Sequence, residues 1–323
     1  MTAVPKRDSD CLPVVVVIDC EPDPRVTPSA GPPPWNGVKG VIELITWWRA
    51  NVPGAHIGWY WRADAQVAHG HGDPGWALHT YRGHIDATLA LGDEHGLHPH
   101  PWRWSKEADM WVSDAADEDW FEQCIQGSID AFVRVLGHPV RTTRMGDGHM
   151  SPRIAATLER AGVECDLTLE PGAAATPSLA PSERSTGMIP DRRATPHRPF
   201  RPSLREPCLP ASGADRPCRF WALPLTTAPA GMHRFVPGTA ANLGYSPKRF
   251  RRIVTAGLAE SVRQGAPYVA VVARSDVGSN HQLARFAAKN LAWLATGGAG
   301  HAPPRFMNPL DALQSLGSYQ EQE

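Results

Sequence analysis

Two imidazoles two residues apart, His98 and His100, close the run Asp93-Glu94-His95-Gly96-Leu97-His98-Pro99-His100. On an extended backbone, residues i and i+2 share a face, so both rings can converge on one metal ion or one substrate group. Far upstream, Val14-Val15-Val16-Val17-Ile18 is a β-branched run of the kind buried on both faces of a parallel sheet, and it stops at Asp19-Cys20-Glu21-Pro22-Asp23. In α/β architectures, ligand-handling groups collect just beyond the carboxyl ends of strands. Asp19, Glu21 and Asp23 occupy such an end. Carboxylates together with neutral imidazoles suit zinc and other divalent transition metals, whereas carboxylates alone would suit magnesium or calcium. The plainer alternative for the acids is a turn shaped by Pro22 and Pro24.

The elements that must position these groups alternate along the chain. Residues 38–49 carry apolar side chains at helical spacing, 57–61 read as a strand, and a polar, Gly-rich loop runs on to Gly75. A helix over 76–91 stops at Gly92 and feeds the strand before His98. The pattern repeats as a helix over 120–136, a strand over 139–143, a helix opened by Ser151-Pro152, and extended chain over 163–169. After an interruption come a strand at 219–223, a helix from Ser246-Pro247, a strand at 268–273 and a last helix over 280–294. Such alternation suits βα units around a parallel sheet, open or closed into a barrel. The interruption, 170–217, holds ten prolines and so excludes regular helix or central strand; it reads as a partly ordered surface insertion, or more sharply as a lid. The expected organisation is a tail over 1–11, one barrel domain over 12–297 carrying this insertion, and a largely irregular tail over 298–323.

A chain of 323 residues with formal net charge −1 can bury a large core, and its mixed charges argue against nucleic acid or a basic membrane-binding surface. The apolar run 12–18 is too short for a secretion signal or membrane span and is better used as the first strand, so a cytoplasmic location without a membrane span is expected. Six cysteines without CxxC spacing fit a reducing compartment; Cys208 and Cys218 could bridge, although free thiols are the ordinary reading.

With these residues in order, the chain resembles the polysaccharide deacetylase superfamily, also called the NodB-homology or carbohydrate esterase 4-like superfamily, as a divergent member. Val17-Ile18-Asp19-Cys20-Glu21 looks like its first motif, in which an apolar strand ends in acids. The run from Asp93 to His100 looks like the second, a strand ending in metal-binding histidines. Arg144-Met145-Gly146-Asp147, with Cys165-Asp166-Leu167-Thr168 further on, resembles the third block. The resemblance implies a distorted (β/α)₇-type barrel and a metal-dependent hydrolase removing an acyl group from an N-acylated carbohydrate or sugar precursor. It makes Asp19 the base, Glu21, His98 and His100 the ligands of a divalent metal, zinc foremost, and Arg144 the group that orients Asp19. The late strand that usually ends in a catalytic histidine ends here in Ala273-Arg274-Ser275-Asp276, so no general acid is identified.

Trp35 and Trp102 are expected to offer faces on which a sugar stacks, with core packing as the alternative. Arg62 and Asp64, following the 57–61 strand, could grip a polar substrate or simply pair with each other. Asp147 joins this substrate-binding set, while His69 and His71 read as surface residues. The expected partner is a small-molecule or carbohydrate substrate, and the oligomeric state is left open. Two other readings are an allantoinase-like hydrolase of cyclic amides from the same superfamily, and a carbohydrate-binding barrel without turnover.

Overall fold

The computed structural model describes residues 11–24, 31–177, 185–229, 238–300 and 302–317. Twelve strands are assigned: β1 (Leu12–Cys20), β2 (Gly58–Trp61), β3 (Glu94–Leu97), β4 (Trp102–Ser105), β5 (Met110–Ser113), β6 (Thr142–Thr143), β7 (Cys165–Asp166), β8 (Thr176–Pro177), β9 (Met188–Ile189), β10 (Trp221–Ala222), β11 (Val269–Arg274) and β12 (Pro304–Phe306). The helices are α1 (Asn36–Arg49), α2 (Ala65–His71), α3 (Trp76–Thr80), α4 (Arg82–Leu89), α5 (Glu118–Leu136), α6 (Pro152–Arg160), α7 (Pro247–Arg263), α8 (His281–Ala295) and α9 (Pro309–Ser315).

Seven strands lie parallel in the order β10-β7-β6-β3-β2-β1-β11, and β12 pairs with the first residues of β1. The sheet curls. Between its two ends, irregular chain replaces a strand: Thr226 N–H donates to Ala270 O, and Val272 N–H to Ala241 O. This is the distorted (β/α)₇-type barrel that the motif order predicts.

Alternation along the strands decides which residues meet. On β1, Val14, Val16, Ile18 and Cys20 belong to the outer core beneath the helices, while Val15 and Val17 belong to the core inside the barrel. Asp19 shares the parity of Val15 and Val17 and therefore points inward at the mouth. β2 and β11 repeat the rule, with Tyr60, Ala270 and Val272 inside and Trp59, Trp61, Val271 and Ala273 outside. α1 supplies the outer layer with Val38, Val41, Ile45 and Trp48 on one stripe. α5 starts on the Asp117 cap and stops at Gly137, whose φ of 79° is the left-handed conformation that ends a helix.

Several expectations need correction. The supposed loop before Gly75 contains α2, because the Asp64 side chain accepts the Gln66 and Val67 N–H groups and caps it. The expected helix over 76–91 breaks at Tyr81 into α3 and α4. A hairpin, β4–β5, follows His100 and packs Trp102 against Trp111. The proline-rich segment is not loose where it is described. Ile189, Phe200 and Cys208 are buried, and short bridges such as Phe200 to Ala222 tie it to β10 without needing a continuous ladder. None of the six cysteines forms a disulfide.

Residues 302–317 do not form an irregular tail either. Phe306 on β12 is buried and meets Trp48 edge-on at 4.8 Å, and α9 places Leu310 and Leu313 against the inner core. Phe306→Ala should therefore cost about 3–5 kcal/mol of unfolding free energy, as truncation of a buried aromatic does. Urea denaturation monitored by circular dichroism measures this, and a loss under about 1 kcal/mol would mean that β12 is dispensable.

Candidate metal centre at the barrel mouth

The mouth is built from strand ends. Asp19 closes β1 and Glu21 follows it; His98 comes directly after β3 and Arg144 directly after β6. They line a cavity of about 360 Å³ together with His100, Asp147, Glu170, Arg192, Asn242, Tyr245 and Arg274. The sequence expectation that the motifs share one end of the barrel matches this placement.

Glu21, His98 and His100 each offer a ligand atom, and these atoms lie within 4.8 Å of one another. His98 Nε2 and His100 Nε2 are 3.2 Å apart, and His100 Nε2 is 3.6 Å from Glu21 Oε2. His98 Nδ1 is 2.6 Å from the Arg144 carbonyl oxygen, which can only accept, so the ring carries its proton on Nδ1 and keeps the Nε2 lone pair for a ligand. Burial foremost lowers the His98 pKa to about 4, so the ring is neutral, as ligation requires. His100 Nδ1 has two neighbours, Asp147 Oδ2 at 3.2 Å and the Trp102 indole nitrogen at 2.8 Å. It cannot serve both. Donation to Asp147 leaves Nε2 free to bind a metal, whereas acceptance from the indole puts the proton on Nε2. Burial and Arg62 push the His100 pKa down, but Asp147 and Glu21 outweigh them and raise it, so a cation held at Nε2 would displace a proton from this ring.

Glu21 is held from two sides. Ser275 Oγ accepts its N–H and donates to its carbonyl, and Arg274 Nε approaches its Oε1 at 2.6 Å. Burial alone would raise this carboxyl; Arg274 and the hydrogen bond with His100 hold it well below the ordinary carboxylate range. Oε2 therefore faces the histidines as a charged oxygen donor. Three protein ligands of this kind, two imidazoles and one carboxylate, are the donor set of a catalytic zinc and leave positions for water and substrate.

Beside them, Asp19 Oδ1 lies 3.1 Å from Arg144 Nε and 3.8 Å from His98 Nδ1. The Arg144 contact is an ion pair without hydrogen-bond alignment, so Asp19 Oδ1 retains lone-pair capacity for another donor. Arg144 also reaches Glu170 at 3.5 Å. Burial acts to lower its pKa, but Asp19 and Glu170 raise it, so the guanidinium stays charged.

The third motif folds as a tight turn whose shape explains its glycines. Asp147 has φ 54°, an uncommon conformation for a residue with a side chain, and it aims its carboxylate at His100. A Cβ on Gly146 would lie 2.2–2.3 Å from the His100 ring, and one on Gly148 would lie 2.7 Å from Arg192 Nη1. The turn thus approaches both side chains closely only because it lacks Cβ atoms on either side of Asp147.

Four residues expected to touch substrate lie elsewhere. Trp35 is buried against Trp76 at a ring distance of 5.5 Å. Trp102 is buried behind His100, so its truncation would disturb a ligand and not a sugar face. Arg62 and Asp64 form a buried bidentate pair, and Asp64 accepts the His100 N–H at 3.0 Å, fixing the ligand-bearing backbone. Asp147 does line the cavity. Asp23 accepts the N–H groups of Asn36 and Gly37 and is occupied at the start of α1. Cys20 faces the outer core, away from the metal ligands. His69 and His71 stack on Trp104 and Trp76 along α2.

Residues that the motifs did not predict complete the site. Arg274 and Ser275 stand where a late histidine was sought. Tyr245 is kept at the rim because the buried Asn290 side chain donates to the Leu243 and Tyr245 carbonyls. Asn290 carries no local sequence signal for that role, although Arg274 was legible as a polar residue at a strand end.

No family model matches the chain, and no curated protein matches it. Solved structures do. A candidate polysaccharide deacetylase from Mycobacterium smegmatis superposes with a TM-score of 0.54 at 12% identity, over 99% of this chain and 94% of that one. A candidate glycoside hydrolase/deacetylase from Parabacteroides distasonis gives 0.56 at 10% identity, over 97% and 72%. The Puue allantoinase gives 0.54 at 12% identity, over 99% and 94%. The chain has the fold of the polysaccharide deacetylase superfamily. Among the described residues, no helix is long and apolar enough to cross a membrane.

Proposed function

We propose that the chain is a divergent member of the polysaccharide deacetylase superfamily, a hydrolase dependent on a divalent metal, zinc foremost, that removes an acyl group from an N-acylated carbohydrate or sugar precursor. One observation carries the reading. Glu21, His98 and His100 bring their ligand atoms within 4.8 Å of one another, and the Asp19–Arg144 pair stands beside them in the same cavity. When bound, the ion would polarise an acyl carbonyl and make water more acidic.

The protein's own residues do the rest. Asp19 takes the proton of the attacking water, and Arg144 orients that carboxylate. Arg274 and Ser275 hold Glu21, Asp147 and Asp64 hold His100, and the Arg144 carbonyl fixes the His98 tautomer. Burial of the centre removes competing water and strengthens each of these interactions. Arg274 replaces the late histidine and cannot protonate a leaving amine, since a guanidinium does not deprotonate in proteins. The proton that Asp19 takes from water is the one available to return to the leaving amine.

The test is acyl release by the zinc-loaded protein from a panel of N-acetylated sugars, with cyclic ureides such as allantoin alongside. Acetate release from a sugar amide is the expected result. Ring opening of a ureide with no sugar turnover would move the substrate to cyclic amides. No hydrolysis of any amide with any divalent metal would leave only the fold.

A further inference from the structure

Three arginines line the cavity, and two of them have acidic partners. Arg144 pairs with Asp19 and Glu170, and Arg274 pairs with Glu21 and Asp276. Arg192 differs. It is only 5% exposed, yet among the described residues its Nε and Nη1 have no hydrogen-bond partner and no carboxylate pairs with it. Its backbone accounts for its position: Arg192 N–H donates to Ala173 O at 2.7 Å, and its carbonyl accepts from Gly172 at 2.8 Å and Thr195 at 3.1 Å. The guanidinium is thus pinned through the main chain and presented to the cavity wall beside Gly148, whose missing Cβ makes the room.

A buried cation without a counter-charge is costly in the folded protein alone. It becomes favourable when a ligand brings the charge, and a guanidinium fork matches carboxylate and phosphate geometry. We infer that Arg192 is a specificity residue and that the substrate carries an oxyanion, a carboxylate or a phosphate, on the acylated sugar. A cavity of about 360 Å³ suits one such ring with its substituents. Thr176, Thr239 and Asn242 supply neutral polar groups along the same wall. The inference rests on the hydrolase reading for the amide, and on Arg192 alone for the charge.

Isothermal titration of the zinc-loaded protein with N-acetylglucosamine, N-acetylglucosamine 1-phosphate and N-acetylgalactosaminuronate tests it and separates phosphate from carboxylate. An anionic ligand should bind roughly tenfold to a hundredfold tighter than the neutral sugar, as a charged hydrogen-bonded contact predicts. Arg192→Gln should remove that preference, and Arg192→Lys should restore part of it. Equal affinity for neutral and anionic sugars in the unaltered protein overturns the inference, whatever the variants do. A preference that survives in folded Arg192→Gln also overturns it, because the oxyanion is then held elsewhere, as on the metal. Arg192-dependent binding without acyl release would sustain the inference while the hydrolase reading fails. Turnover of neutral and anionic sugars alike would do the reverse.

Discussion

His98→Ala is expected to strip the protein of its divalent metal and of its hydrolytic activity while leaving the fold intact. His98 follows the last residue of β3, with its N–H still donating to the Trp61 carbonyl, and its ring faces the cavity, so truncation enlarges an existing space and leaves the backbone pairing in place. The loss of metal follows from geometry. Only Glu21 and His100 would remain, and two protein ligands bind far more weakly than three. The reduction in affinity should exceed about 100-fold, the upper end of what loss of an outer-sphere partner costs. Metal content by mass spectrometry after dialysis, with circular dichroism for the fold, measures both halves of the expectation. Stoichiometric metal retained in the double variant His98→Ala/His100→Ala would remove the centre altogether.

How much of this was legible in the sequence varies with the range of the forces involved. The β-branched run before Asp19 and the i, i+2 spacing of His98 and His100 are local, and they read as strand ends, where the structure has them, because side-chain alternation is a property of any extended chain. Charged residues near those ends were harder. Arg62 and Asp64 follow a strand as substrate-binding groups do, yet they fold onto each other and onto the His100 backbone, a choice set by a partner 36 residues away. Trp35 and Trp102 followed the commoner fate of aromatics, burial. Arg274 and Ser275 reach Glu21 across some 250 residues, and no local pattern announces that contact. The proline-rich segment misled for a different reason. Proline forbids regular ladders but not isolated bridges, so Phe200 and Ile189 could be buried by chain that reads as loop.

The second large effect belongs to Asp19. Asp19→Asn keeps the size of the side chain and removes its capacity to take a proton, so kcat should fall by roughly 10²–10⁴, the range that general base catalysis contributes. Metal binding should persist, because Asp19 is outside the ligand triad. The fold should persist too. Breaking a buried ion pair from one side typically costs about 3–5 kcal/mol through the charge left behind, but Arg144 retains Glu170 at 3.5 Å. A second substitution separates Asp19 from Arg144. If Arg144 acts by orienting Asp19, then Arg144→Gln should lower kcat in the unaltered protein and add almost nothing in the Asp19→Asn background, a non-additivity that a purely structural arginine would not produce. Activity within tenfold of the unaltered enzyme in metal-loaded Asp19→Asn would mean that another carboxylate takes the proton, and Glu170, which shares the cavity and the same arginine, would be the group to change next.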